Sequence, residues 1–295
     1  MKKKRTRKYG TGLLMIAPTI IGLIILNIIP LIQTFILSMQ DASAFGAAQF
    51  VGLDNYIKMF QSSEMWKATF NTLLFVVYTV PVGIVISLVI AVLLNAKIKG
   101  KTLFRAVFFM PMIVAPAAIA MVWKLLFNAE FGIINTVLRT IGFEGTNWLT
   151  NDNTILLVCA IVTIWSAVGY DAIILLSGLQ GISSTYYEAA KLDGASGIQS
   201  FFHITLPMVS PTLFFTIIMR VMGSLKVFDV IYMMIESSNP AINSARTLMG
   251  LFYRESFELG NRGYGSAIVI WTLFIIGAVT VIQFVGEKKL VNYDA

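Results

Sequence analysis

Long apolar runs separated by short polar connections dominate the chain. Six stand out, approximately Leu13–Leu37, Phe70–Leu94, Ala106–Phe127, Thr154–Gly178, Met208–Ile235 and Ser266–Val285. Each is about 20 residues or longer, the length that carries a helix across a hydrocarbon layer of roughly 30 Å. Hydrocarbon offers the backbone no hydrogen bonds, so such a run has to close its own as a helix. The pattern predicts an all-α membrane protein, a six-transmembrane-helix bundle. Proline interrupts the runs at Pro18, Pro30, Pro81, Pro111 and Pro116. Membrane helices tolerate it because neighbouring helices and polar side chains satisfy the freed carbonyls.

Composition sharpens this picture. Of 295 residues, 57% are hydrophobic and 13% charged, where a soluble domain carries about 25% charged residues. Too little charge is present to cover a water-exposed surface, which excludes the soluble classes. The net charge of +7 does not point to nucleic acid, because of where the basic residues lie. Lys2, Lys3, Lys4, Arg5, Arg7 and Lys8 crowd the N-terminus ahead of the first run. Such a cluster holds a terminus in the cytoplasm against anionic lipid heads. The run that follows is too long for a signal peptide core and lacks an A-x-A cleavage site, so an uncleaved anchor is expected. The single cysteine, Cys159, lies inside an apolar run and says nothing about compartment.

With both termini inside, the cytoplasmic segments hold thirteen Lys/Arg and the outer loops six, as the positive-inside rule requires. The expected organisation is a basic cytoplasmic tail over 1–12 and a first helix with its outer loop over 13–69. A five-helix transmembrane domain follows over 70–286, with a cytoplasmic loop at 179–207, and a tail over 287–295 ends the chain.

That loop carries the strongest chemistry-bearing pattern. It reads Tyr186-Tyr187-Glu188-Ala189-Ala190-Lys191-Leu192-Asp193-Gly194-Ala195-Ser196, then Phe201-Phe202-His203-Ile204-Thr205-Leu206-Pro207. Thr185-x-x-Glu188 and Ser196-x-x-Gln199 are both capping-box patterns, opening two short helices. Asp193-Gly194 closes the first, since glycine takes the left-handed conformation of a helix C-terminus. Pro207 and Pro211 suit the first turn of the span that follows. Ala189 and Ala190 keep the surface smooth, and Tyr186, Leu192 and Phe201 add apolar area for a partner.

This stretch resembles the E-A-A…G…I-x-L-P signature of the membrane subunits of bacterial binding-protein-dependent ABC importers. Glu188, Ala189, Ala190, Asp193, Gly194, Ala195, Ile204, Leu206, Pro207 and Pro211 stand at the family's spacing. Other segments resemble the carbohydrate branch that includes the maltose and glycerol-phosphate permeases. They are Val51-Gly52-Leu53-Asp54-Asn55-Tyr56, Asn71-Thr72-Leu73, Asn147-Trp148-Leu149, Gly178-Leu179-Gln180-Gly181-Ile182 and Phe228-Asp229. The last outer loop departs, with Ser238-Asn239-Pro240 where the family often has Gly-Gly-Pro.

The resemblance implies a multi-pass permease of the bacterial cytoplasmic membrane, moving a sugar by alternating access. Its cargo would be an oligosaccharide, an acidic sugar or a sugar phosphate. Implied partners are a second homologous permease subunit, a dimeric ATPase docked on the 179–207 loop, an extracellular substrate-binding protein and membrane lipid. ATP and magnesium would sit on the ATPase, so no cofactor is expected on this chain.

Several weaker signals fall away. Gly100-Lys101-Thr102 echoes a P-loop, but the first glycine of that motif is replaced by Asn95. His203, the only histidine, has no Cys or carboxylate company for a metal. No nucleophile–base pair shares a pocket, which argues against a membrane-embedded enzyme. The rival class is an ion-coupled secondary transporter, which would carry inverted repeats about a midplane ion site. No such symmetry is visible.

Charges within the runs are costly in lipid and usually face a cavity or a partner. Lys124 reads as snorkelling outward. Lys226 and Asp229 fall three apart on one expected helix, either as a self-neutralising pair or as pathway residues. Arg220 lies roughly 18 Å up from Met208, near the midplane, and Asp171 roughly 10 Å above the inner face. An arginine is long enough to reach across. Asp171, Arg220, Lys226 and Asp229 are therefore the candidate pathway residues, with Arg220 either paired to Asp171 or reading an acidic sugar.

The incomplete P-loop yields a first prediction. The isolated chain in detergent is expected to show no saturable binding of a labelled ATP analogue. Saturable binding would contradict the division of labour above.

Overall fold

The computed structural model describes residues 14–43, 48–96 and 99–290, so the basic tail, residues 291–295 and the expected location of both termini lie outside it. Helices α1 (Leu14–Ser38), α2 (Asp54–Gln61), α3 (Ser63–Asn95), α4 (Lys101–Ile113) and α5 (Pro116–Leu126) come first. Then follow α6 (Ile133–Thr140), α7 (Ile155–Gln180), α8 (Ser184–Leu192) and α9 (Gly197–Leu225). The chain closes with α10 (Asp229–Met234), α11 (Ile242–Ala245), α12 (Leu248–Tyr253) and α13 (Arg262–Leu290). Among the described residues, α1, α3, α7, α9 and α13 are each long and apolar enough to cross a membrane. The pair α4 and α5 adds a sixth crossing if the two count as one bent span.

Where the third span was expected, over Ala106–Phe127, two helices α4 and α5 diverge by 98°. The cause is local. Val114 and Ala115 are extended, with ψ of 137° and 133°, immediately before Pro116. A residue preceding proline is pushed out of the helical region, and Pro116 then opens a new helix at its first turn. The expected fifth span, Met208–Ile235, also differs. It begins about ten residues earlier, at Gly197, and ends at Leu225. Prolines inside α1 and α9 are absorbed by π turns at Ile24–Ile28 and Phe201–Thr205, just ahead of Pro30 and Pro207.

Two compact units make up the chain: residues 1–62 with 251–273, and residues 63–250 with 274–295. In the first, Gln40–Asp41 pairs antiparallel with Gln49–Phe50. Asn55 fastens α2 to the end of α1, its amide donating to Ser38 O at 3.0 Å and Gln40 O at 2.9 Å. Tyr56 and Ser38 share a hydroxyl contact of 2.6 Å. Gly263 approaches the Gln40 carbonyl so closely that a Cβ would overlap it.

In the second unit α3 and α7 form the central pair. Phe75, Ile155, Val158 and Val162 are buried together at one end, and Ala91, Leu94, Leu175 and Leu179 at the other. Small residues set the spacing, as expected where lipid gives helices no hydrophobic push together. A Cβ on Gly169 would overlap the Phe108 carbonyl, and one on Gly178 would lie 2.8 Å from Thr212 Cβ. The loop between α5 and α7 is organised by Asn135, which is fully buried. Its amide donates to Ala129 O and Thr146 O, both at 2.9 Å, while its Oδ1 accepts from Thr146 N and Trp148 Nε1.

Asn135→Ala removes four hydrogen bonds to half-buried groups, of which only Ala129 O keeps another bond among the described residues, from Arg139 Nη2. It is expected to destabilise the protein by roughly 2 kcal/mol or more, read as a lower thermal-unfolding midpoint in detergent. An unchanged midpoint would mean that the loop does not depend on this side chain.

Candidate functional site

The loop between α7 and α9 is ordered throughout. Ser183, rather than the expected Thr185, caps α8, so the helix opens two residues early; the Ser183 hydroxyl accepts from Thr185 N at 3.4 Å. Sequence spacing suggested the box because Thr185 and Glu188 match it. The same hydroxyl-to-amide geometry is available from Ser183, whose backbone is extended as a cap requires. At its C-terminus α8 closes on Gly194, which has φ of +77°. Gly194 N donates to Lys191 O at 3.1 Å and Ala195 N to Ala190 O at 2.9 Å. These two crossed bonds are a Schellman motif, and the left-handed residue at its centre favours glycine.

The second box is complete: Gln199 N donates to Ser196 Oγ at 3.3 Å and Ser196 N to Gln199 Oε1 at 2.7 Å. The helix it opens runs without a break into α9. Tyr187 OH meets Thr205 Oγ1 at 3.0 Å, tying α8 to the base of that span. The loop is thus one rigid elbow rather than two free helices.

Its surface suits a partner. Tyr186, Glu188, Ala189, Asp193 and Gly194 are exposed, and Leu192 is 90% exposed. A cup of about 320 Å³ is lined by Ala190, Asp193, Gly194, Ala195, His203 and Ile204. The fold therefore brings together Ala190 and Ile204, fourteen positions apart in the chain. Leu206 and Pro207 are half-buried within α9 and do not line the cup.

The four candidate pathway residues separate into two groups. Arg220 Nη1 donates to Asp171 Oδ2 at 2.8 Å, and the side chains are only 5% and 6% exposed. Lys226 and Asp229 do not share a helix. Lys226 is the C-cap of α9, and Asp229 opens α10, both exposed. Between them the backbone leaves the helical path at Lys226 and Phe228, and Thr247 Oγ1 donates to the Val227 carbonyl at 3.0 Å. Lys124 reaches Glu236 Oε1 at 2.9 Å, and that hydrogen bond holds the Glu236 carboxyl below its ordinary range.

The motifs outside the elbow tie the start of α3 to α11 and the residues after it. Asn71 donates to Asn243 O at 3.2 Å and Arg246 O at 3.0 Å, and Thr72 Oγ1 accepts from Leu248 N at 2.9 Å. Arg246 also pairs with Glu64. Asn239, in the departing loop, donates to Leu149 O at 2.8 Å and so joins the loop after α10 to the one before α7. A cavity of about 700 Å³ beside the α4–α5 bend is lined by apolar groups, among them Val82, Phe108, Pro111 and Trp165.

Residues 80–291 match the family described as "Binding-protein-dependent transport system inner membrane component". The trehalose/maltose transport system permease protein MalF of Thermococcus litoralis is 32% identical over 95% of this chain and 94% of its own. The arabinooligosaccharides transport system permease protein AraP of Bacillus subtilis is 30% identical over 94% and 88%. A crystal structure of a bacterial alginate ABC transporter, in complex with an alginate pentasaccharide-bound periplasmic protein, contains a chain of the same fold. It matches with TM-score 0.86, 21% identity and 98% coverage of each chain. Proteins of this kind are transport components rather than enzymes, and they act with a substrate-binding protein and a separate ATPase. That decides for an ATP-driven importer and against an ion-coupled secondary transporter. This chain, a multi-pass protein of the cytoplasmic membrane, belongs to the binding-protein-dependent inner membrane permeases.

Proposed function

We propose that this chain is one of two homologous membrane halves of a carbohydrate importer, and that the α7–α9 elbow is the seat of its ATPase. One observation carries the reading. The elbow presents a smooth alanine-lined cup on a rigid base, closed by a Schellman turn and a complete capping box. A flexible connector would transmit no force, whereas this one is continuous with α9. The named substrates of MalF and AraP favour an oligosaccharide as cargo. The Lys/Arg distribution favours six crossings with cytoplasmic termini, α4 and α5 making one bent crossing. Alternating access would follow from ATP-driven closure of the docked ATPase dimer, with substrate handed over by an external binding protein.

Arg220 bears on the cargo. Its engagement with Asp171 favours a structural charge over a reader of acidic sugars, because buried charges stay paired. Asp171 and Arg220 would then shape the pathway wall, with Lys226 and Asp229 exposed beyond the outer end of α9.

Two substitutions test the docking role in the assembled transporter. Ala190→Leu occupies cup space that a docked partner would enter, and Gly194→Val demands φ > 0 of a β-branched residue. Both are expected to weaken ATPase co-purification roughly tenfold or more and to abolish uptake, while membrane insertion stays intact. Normal uptake by both variants would refute the docking role.

A further inference from the structure

Any movement of the docking elbow enters the bundle through α7 and α9, the helices it joins. Between these two helices and α3 lies a closed triangle of polar ties. Asp171 and Arg220 join α7 to α9 at 2.8 Å. Thr79 Oγ1 and Ser224 Oγ join α3 to α9 at 2.8 Å. Ser87 Oγ joins α3 to α7, donating to Val168 O at 3.2 Å as well as to Gly83 O at 2.7 Å. Thr79, Gly83 and Ser87 are four residues apart, so they share one face of α3.

At the centre of that face stands Gly83. The plane of the Arg220 guanidinium lies directly on its bare backbone. A Cβ at this position would overlap Nη2 and come within 2.9 Å of Cζ and 3.1 Å of Nε. Those atoms are the far end of a side chain already committed to Asp171, with Nε and Nη2 buried and without an acceptor among the described residues. A methyl group here would push the guanidinium aside and strain its bond to Asp171. Glycine is favoured here by close approach, not by backbone conformation.

We propose that Gly83, Asp171 and Arg220 form a coupling latch: Gly83 admits the guanidinium, the ion pair clamps α7 to α9, and α3 is carried with them. Closure of the ATPase under the elbow then moves three helices as one body. Arg220 suits a latch with two states, since a buried charge with unmatched donors on one side gains partners when that side opens. Gly83 and Asp171 are positioning residues. They act through Arg220 and through the helices it holds.

The latch rests on the docking role proposed above, and one set of measurements separates the two. The transporter, assembled with its ATPase and binding protein in liposomes, is assayed for both uptake and ATP hydrolysis. Gly83→Ala is expected to assemble and hydrolyse ATP normally, yet to lower uptake per ATP by roughly tenfold, within the usual range of coupling between sites. Arg220→Lys keeps the charge on a slim stem that needs no flat surface beneath it. The double variant Gly83→Ala/Arg220→Lys is therefore expected to recover much of the ratio that Gly83→Ala loses, the non-additivity of residues in contact. If Gly83→Ala does not assemble, Arg220→Lys alone carries the test, with a several-fold lower ratio expected and an unchanged ratio overturning the latch. Additive losses in the double variant, or uptake and hydrolysis falling together with the yield of complex, would also overturn it. So would a loss confined to anionic sugars, which would make Arg220 a substrate reader. Ala190→Leu serves as the control. If it blocks uptake while Gly83→Ala transports normally, the latch alone falls. If Ala190→Leu transports normally, the docking role fails and the latch with it.

Discussion

Hydrocarbon supplies no hydrogen bonds, so every polar group drawn into the apolar runs has to find its partner inside the protein. The backbone meets this demand by becoming helical, and the prolines reveal how strictly. Ahead of Pro30 and Pro207 the chain widens into a π turn, where Ile29 N bonds Ile24 O and Leu206 N bonds Phe201 O. At Pro116 no such repair occurs, and the helix divides. Hydroxyls obey the same constraint. Thr34, Thr72, Thr79, Ser87, Thr216 and Thr272 each return a bond to the carbonyl one turn back.

Helices satisfied in this way have little left to hold them together, because lipid competes equally for their apolar faces. Close approach and a few polar ties do the joining. Gly169 brings the α4 backbone onto α7, Gly178 seats Thr212, and Gly83 seats Arg220. The buried ion pair is the strongest of these ties to break, since removing one partner strands the other charge in low dielectric. It joins α7 to α9, the two helices that leave the elbow. Outside the membrane segments ordinary hydrogen bonding returns, and asparagines at 55, 135 and 239 each bind backbone through their side chains.

The elbow illustrates how local and global requirements agree. Its turn chemistry is written entirely in neighbouring residues: Ser183, the Asp193-Gly194 pair, and Ser196 with Gln199. Its placement is not local at all. The cup exists only because α9 begins at Gly197 and carries His203 and Ile204 back beside Ala190. A sequence-encoded rigid piece is thereby mounted on two helices that the Asp171–Arg220 pair clamps together.

Much of this was legible in the chain alone. The runs of apolar residues specify helices of membrane length, since length and polarity are the whole criterion in lipid. The two turn motifs of the elbow specify themselves, because caps and left-handed glycines act within a few residues. Even the reach of Arg220 to Asp171 followed from helical rise and the cost of a lone charge. What the sequence could not supply was any feature that depends on which helix lies alongside. The 98° bend at Pro116 required knowing that no neighbour would rescue the broken ladder. The separation of Lys226 from Asp229 comes with a turn whose Val227 carbonyl is met by a hydroxyl at Thr247, outside both helices. Gly83 looked like any other glycine in an apolar run. Its importance appears only when the third helix brings a guanidinium onto its backbone, because close packing between distant segments has no local signature.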